Sequence, residues 1–122
     1  MNIILASGSM TRRQLLTNAG VPFTASTAPI DERKVQADNP QWTPAETAAG
    51  LALAKARAVS ELQPTHLIVG ADQVLSINGT IFSKPADIEA CRHQLLQLRG
   101  AEHQLVSSVV CVMAGRQEWS FT

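Results

Sequence analysis

The strongest structural signal in the sequence is a helix followed at once by a buried strand. Thr43-Pro44-Ala45-Glu46 is a capping box with proline at the first helical position, and it predicts a helix from residue 44 to about residue 62. Pro64 ends this helix, and the apolar run at residues 67–71 then predicts a buried strand. A helix that must cover a buried strand is typical of α/β architecture.

The remaining segments fit the same class. Asn78-Gly79 predicts a hairpin turn within residues 74–82. In the helix at residues 86–98, Ile88, Cys91, Leu95 and Leu98 are expected to face inward. The other predicted elements are strands at residues 2–6, 21–26, 103–114 and at the end of the chain, a helix at residues 10–19, and a loop at residues 28–39. We expect one α/β domain over residues 1–122, with a mixed twisted sheet flanked by helices.

Composition excludes several classes of function. The formal net charge is zero, so the chain lacks the basic surface that a nucleic acid polymer requires. No apolar run reaches the roughly 18 residues of a membrane span, and the N-terminus lacks the basic region of a signal peptide. Two cysteines do not form a disulfide framework. We therefore expect a cytoplasmic protein with no membrane partner.

The turn Ser7-Gly8-Ser9, which leads through Thr11 to Arg12 and Arg13, is the first candidate site. A strand-to-helix turn directs free N–H groups and a positive dipole end toward one point, and the hydroxyls and guanidinium groups add donors that suit phosphate oxygens. The alternative is a serine-capped helix with solvated arginines. Arg12 is the stronger of the two arginines, because its spacing to Leu15 and Leu16 starts its side chain on the packed side.

Two further charged residues adjoin apolar segments. Asp72 follows the strand at residues 67–71, where a carboxylate could bind a metal ion or activate water; the alternative is a turn-forming aspartate. Lys55 shares a helix face with Leu51, Val59 and Leu62, so it needs either a partner or a route to water along the edge of that face.

Lys84 precedes a proline and could supply a second cation, whereas Asp31-Glu32 is a carboxylate pair in the predicted loop. A solvated loop charge is the alternative for both. The histidines and cysteines show no metal-ligand spacing.

Taken in order, these pieces resemble the Maf family of nucleoside triphosphate pyrophosphatases. The resemblance extends over nearly the whole chain. It rests on Leu5-Ala6-Ser7-Gly8-Ser9 with Arg12-Arg13, Asp31-Glu32, Lys55-Ala56, Gly70-Ala71-Asp72-Gln73-Val74, Asn78-Gly79, Lys84-Pro85 and Leu98-Arg99-Gly100.

The resemblance implies a Maf/ITPase-like fold and a hydrolase that splits a nucleoside triphosphate into the monophosphate and pyrophosphate in a house-cleaning role, with Mg²⁺ or Mn²⁺ as cofactor. It implies that Asp72 is the catalytic base and that Glu32 and Asp72 bind the metal. The residues that it assigns to substrate and phosphate binding are Ser7, Ser9, Arg12, Arg13, Lys55 and Lys84.

Two positions bear on the substrate. Gln73 resembles the branch of the family that hydrolyses 7-methyl-GTP, whereas the dTTP/UTP branch tends to have threonine there and arginine in place of Thr11. Thr11 matches neither branch, so the resemblance favours 7-methyl-GTP on Gln73 alone.

The chain also departs from the family pattern. Met10 stands where proline is usual, and two later family motifs are absent, so we expect the N-terminal portion of such a domain, truncated at the C-terminus. The alternative function is a catalytically dead nucleotide-binding module. We also expect an exposed apolar strand edge between Val109 and Phe121, with a homodimer kept open as the arrangement that would cover it.

Overall fold

The computed structural model describes residues 2–122, which form six strands and four helices around one mixed sheet. In chain order the elements are β1 (Ile3–Leu5), α1 (Met10–Asn18), β2 (Thr24–Ala25), α2 (Glu32–Ala37), α3 (Pro44–Leu62), β3 (Leu67–Ile77), β4 (Thr80–Phe82), α4 (Ile88–Leu98), β5 (Gln104–Met113) and β6 (Arg116–Phe121). The predicted fold class, a mixed sheet flanked by helices, is confirmed.

The strands lie in the order β2-β1-β3-β5-β6, and β4 pairs separately with β3. β2, β1 and the first part of β3 are parallel, whereas β4, β5 and β6 join by antiparallel pairing. On one edge of β3, pairing with β1 ends at Val69 and pairing with β4 starts at Leu75. Within residues 2–122 no strand is paired to β3 between these two points on that edge, so the sheet has a local opening there.

Helix α3 covers one face of the sheet and forms the core with β1, β3 and β5. Its N-terminus carries the predicted capping box: the Thr43 side chain accepts from the Glu46 backbone N–H, and the Glu46 carboxylate accepts from the Thr43 N–H. The buried core residues are Ile4, Ala6, Ala52, Ala56, Val59, Ile68, Val110 and Val112.

Gly70 is the point of closest approach between α3 and β3. A Cβ atom at this position would lie 2.3 Å from the carbonyl oxygen of Ala52 and 2.8 Å from the Cβ of Ala56. Only glycine fits this spacing without a shift of the backbone. The close contact brings the Lys55 side of α3 against the middle of β3.

Strand β3 is longer than predicted. It runs for 11 residues, so Asp72 lies inside the strand and is not a turn residue that follows it. Asp72 pairs in register with Ser108 of β5, and the antiparallel ladder continues to Ser76 opposite Gln104. The hairpin itself is as predicted, with Asn78 and Gly79 both at positive φ (50° and 82°), as a type I′ turn requires.

The loop predicted at residues 28–39 is wrong in part, because residues 32–37 form helix α2. Asp31 caps this helix: its side chain accepts from the Lys34 backbone N–H at 3.2 Å. An aspartate followed by Glu32 in the first turn is a standard helix start, which the absence of apolar periodicity concealed.

The apolar faces of α1 and α4, and the last turn of α3, are not buried as expected. Leu15 in α1, Ile88 and Leu95 in α4, and Leu62 at the end of α3 are all exposed, while Cys91 and Leu98 are half-buried. Neither α1 nor α4 contains a fully buried residue. Helical spacing identified these helices correctly, but it did not determine how much of each face another element covers.

The expected exposed strand edge is present at β6, whereas Val110 and Val112 of β5 are buried in the core. β6 lies at the end of the sheet and all six of its residues are exposed. Trp119 and Phe121 stack on each other, with ring centroids 6.4 Å apart, on the sheet face away from α3. None of the helices within residues 2–122 combines the length and the apolar character that crossing a membrane demands.

Candidate active site

A cavity of about 630 Å³ lies where the sheet opens beside the middle of β3. Its walls come from the turn after β1, the α2 region, one face of α3, and the segment that follows β4. This volume is within the roughly 300–1,000 Å³ of pockets that hold small ligands. The local topology explains its position, because neither β1 nor β4 fills the edge of β3 between Val69 and Leu75.

Three charged side chains meet at the floor of the cavity. The Nζ of Lys55 lies 2.9 Å from the Oδ1 of Asp72 and 2.9 Å from the Oε1 of Glu32. It also donates a hydrogen bond to the backbone carbonyl of Ala71 at 3.1 Å. Helices α2 and α3 and strand β3 thus each supply one member of a single ionic cluster.

Lys55 and Asp72 are buried in this cluster, with 7% and 9% of their surfaces exposed, whereas the Glu32 side chain is 50% exposed. Burial raises the pKa of Asp72 above its ordinary value, and the hydrogen bond and charge of Lys55 oppose that shift. The nearby charge of Glu32 raises the pKa further, and that of Arg12 lowers it. Lys55 therefore pairs with carboxylates and does not extend along the helix edge to water.

The turn after β1 is organised by serine hydroxyls. The Ser7 hydroxyl accepts from the Ser9 backbone N–H at 3.1 Å and from the Arg12 guanidinium at 3.2 Å. The Ser9 hydroxyl caps α1 by accepting from the Arg12 N–H at 3.3 Å. The sequence left open whether this turn is a helix cap or a group of donors that face a ligand. Both features are present, because Ser9 caps α1 and Ser7, Ser9 and Arg12 all line the cavity.

Not every residue singled out in the sequence reaches this cavity. Lys84 and Gln73 line it, but Thr11 and Arg13 are exposed and do not. The Gln73 side chain donates to the hydroxyl of Ser107, its register partner on β5, at 2.8 Å. Arg12 and Arg13 therefore differ in placement: Arg12 is partly buried against the serine turn, whereas Arg13 is exposed and does not line the cavity.

The α2 region contributes cavity residues that sequence reasoning missed. Ile30, Arg33 and Gln36 line the cavity beside Glu32, and Thr27 and Ala28 lie just before them. Recognising Asp31 as a helix cap would have placed residues 32, 33 and 36 on neighbouring turns and would have indicated a shared face. Arg33 adds another positive group to the lining.

The carboxylates suit a magnesium-type ion and not a fully protein-ligated metal. Within residues 2–122 no three His, Cys, Asp or Glu side chains cluster as a metal cage. Glu32 and Asp72 nevertheless lie close together, because both contact the ammonium group of Lys55. Lys55 engages only one oxygen of each carboxylate. Mg²⁺ is commonly held by one or two carboxylates together with substrate phosphates and water, and two oxygen ligands from the protein fit that pattern.

Comparison with known proteins matches a family model described as "Maf-like protein" to residues 2–122. A nucleoside triphosphate pyrophosphatase of Rhodopseudomonas palustris is 45% identical over 120 residues, which are 98% of this chain and 59% of that protein. A 7-methyl-GTP pyrophosphatase of Brucella abortus is 45% identical over 121 residues, which are 98% of this chain and 61% of that protein. The chain thus spans about three fifths of the length of these relatives.

Solved structures support the fold. A HAM1 protein from Coxiella burnetii superposes with a TM-score of 0.63 at 17% identity, over 99% of this chain and 68% of that one. The Ham1 protein of Staphylococcus aureus superposes with a TM-score of 0.61 at 13% identity, with the same coverage. At this level of identity the likeness concerns the architecture of the sheet and helices.

Proposed function

The chain belongs to the family of Maf-like proteins, and on that premise we propose that it hydrolyses a nucleoside triphosphate to the monophosphate and pyrophosphate. The observation that carries this proposal is the buried carboxylate of Asp72 on the floor of a cavity whose rim bears cations and backbone donors. Such an arrangement places a proton acceptor below a site for a polyanion.

We assign phosphate binding to the serine turn and to Lys84. The hydroxyls of Ser7 and Ser9, the Arg12 guanidinium and the start of α1 lie on one side of the cavity, and Lys84 lies on another. Hydrogen bonds from charged donors to phosphate oxygens are short and strong, so these groups would hold the charge of a pyrophosphate leaving group. Arg13 lies outside this set in the structure.

We assign the role of general base to Asp72. Water that attacks the α-phosphorus must lose a proton, and a carboxylate with a raised pKa is a better acceptor than one at its ordinary value. Asp72 and Glu32 are the residues that would hold Mg²⁺ or Mn²⁺. When bound, such an ion neutralises charge on the phosphate oxygens.

For the substrate we favour 7-methyl-GTP, with dTTP or UTP as the alternative. Gln73 lines the cavity next to Asp72, and its residue type resembles that of the 7-methyl-GTP branch. A relative that is 45% identical bears the name 7-methyl-GTP pyrophosphatase. Thr11 is exposed and away from the cavity lining, so this preference rests on Gln73.

The test is release of pyrophosphate from a nucleotide panel that includes 7-methyl-GTP, GTP, dTTP and UTP, with Mg²⁺ or Mn²⁺ present. We expect Asp72→Asn to lower kcat by about 100-fold or more, as loss of a general base commonly does. Asp38→Asn is the matched control, because Asp38 is an exposed acid paired with Lys34 and does not line the cavity. Equal activity of the Asp72→Asn variant and the control would refute the assignment.

Calorimetric titration with the same nucleotides separates this function from a binding module. Nucleotide binding without pyrophosphate release from the unsubstituted protein would favour the catalytically dead module. Neither binding nor release by the folded chain would reject both functions.

A further inference from the structure

Lys55 differs from every other cation around the cavity because its charge is already fully engaged within the protein. Three oxygens lie within 3.1 Å of its Nζ, from Asp72, Glu32 and the Ala71 backbone. An ammonium group has three N–H donors, so the number of donors equals the number of oxygens around it. Only 7% of the residue is exposed.

We infer that Lys55 is a positioning residue that holds Asp72 and Glu32 in place and does not bind the phosphates of the substrate. This inference rests on the proposed function and gives Lys55 a different role from the phosphate binding that the family resemblance implied. A phosphate oxygen could reach this ammonium only by displacing one of its present partners. Displacing Asp72 would leave a buried carboxylate without this donor, which carries the desolvation penalty of that group. Displacing Glu32 would break the ion pair that holds its half-exposed carboxylate at the cavity floor.

Lys84 is the contrasting case. It lines the same cavity, it is exposed, and its side chain makes no ion pair or hydrogen bond to any residue in the described range 2–122. A solvated lysine with unused donors can bind phosphate without breaking an existing contact. The two lysines therefore form a matched pair with opposite expected behaviour.

The contacts also show what Lys55 does for the site. Asp72 is fixed on the continuous strand β3, but Glu32 is at the start of the six-residue helix α2 and is half exposed. The ion pair with Lys55 ties the Glu32 side chain to the floor of the cavity. One ammonium group thus sets the separation of two carboxylates that come from separate segments and would otherwise repel each other.

The experiment compares Lys55→Met with Lys84→Met, using tripolyphosphate as the probe. For Lys55→Met we expect kcat to fall about 100-fold, because Asp72 and Glu32 lose their orientation. The inhibition constant of tripolyphosphate should stay within about threefold of the original value. For Lys84→Met we expect that constant to rise about tenfold or more, as loss of one charged hydrogen bond predicts.

The inference is overturned if Lys55→Met weakens tripolyphosphate binding as much as Lys84→Met does. Direct titration of tripolyphosphate in EDTA gives the same comparison without turnover. If the unsubstituted protein releases no pyrophosphate, the proposed function fails, yet this titration still decides the role of Lys55.

A second measurement on the unsubstituted protein covers the case in which Lys55→Met does not fold. Lysine acetylation followed by mass spectrometry should modify Lys84 readily, and tripolyphosphate should protect it. Lys55 should react slowly whether tripolyphosphate is present or absent. Rapid labelling of Lys55 that tripolyphosphate suppresses would refute the inference.

Discussion

Substituting Gly70 by alanine should destabilise the protein through one identifiable contact. The new Cβ would lie 2.3 Å from the Ala52 carbonyl oxygen, whereas ordinary contacts lie at 3.4–4 Å, so α3 and β3 must separate by about 1 Å. Overpacking of this kind costs about 3 kcal/mol, and the reduced freedom of the unfolded chain offsets about 0.5–1 kcal/mol. We expect a net loss of about 2 kcal/mol in the free energy of unfolding.

Urea denaturation followed by circular dichroism measures this loss, and thermal melting should show a midpoint lower by about 8 °C. Gly8→Ala is the control for stability, because a Cβ there would meet its nearest neighbour, the Oγ1 of Thr27, at an ordinary 3.6 Å. Its free energy of unfolding should change by less than about 0.5 kcal/mol. A Gly70→Ala protein as stable as the control would refute the claim that α3 and β3 make rigid contact at this point.

Three further predictions test the helix cap at Thr43, the carboxyl group of Asp72 and the side chain of Gln73. Thr43→Ala should lower the free energy of unfolding by about 1 kcal/mol through loss of the capping box, whereas Thr65→Ala, outside any helix, should not. Burial raises the pKa of Asp72 above 3.8, so its contribution to stability is present below that pH and is lost as pH rises through the raised value. As pH rises from 3.8 through the raised pKa, Asp72→Asn should therefore gain stability relative to the unsubstituted protein in urea titrations, and the opposite slope would contradict the shift. Ser107→Ala should free the Gln73 amide and change the ratio of kcat/KM between 7-methyl-GTP and GTP, and Ser107→Thr should restore it.

Short sequence motifs were sufficient to predict a helix start and a turn, because a few adjacent residues determine the backbone geometry of each. The capping box at Thr43 and the Asn78-Gly79 turn each specify a backbone geometry through a few adjacent residues, and both occur as predicted. The faces of α1 and α4 were less predictable. Whether Leu15 or Ile88 is buried depends on which distant segment packs against it, and helical spacing carries no information about that partner.

The same distinction applies to the cavity. Asp72 and Lys55 were identifiable because each interrupts an apolar pattern, which made a buried charge conspicuous in the sequence. Glu32 had no such signal, since it follows a helix cap in a polar stretch, and only the tertiary arrangement brings it within 2.9 Å of Lys55. The contribution of Gln36 and Arg33 was hidden for the same reason.

The sheet opening explains how a buried carboxylate can also be accessible. Had Asp72 been at the end of a strand, as the apolar run suggested, its position would depend on a turn. Instead β3 continues through Asp72 and stays paired with β5 on one edge, while the other edge is open between Val69 and Leu75. The strand therefore supplies a rigid backbone on one side and solvent access on the other. A proton acceptor that must be both desolvated and within reach of a substrate needs this combination, because rigidity preserves its orientation and access admits the reacting water.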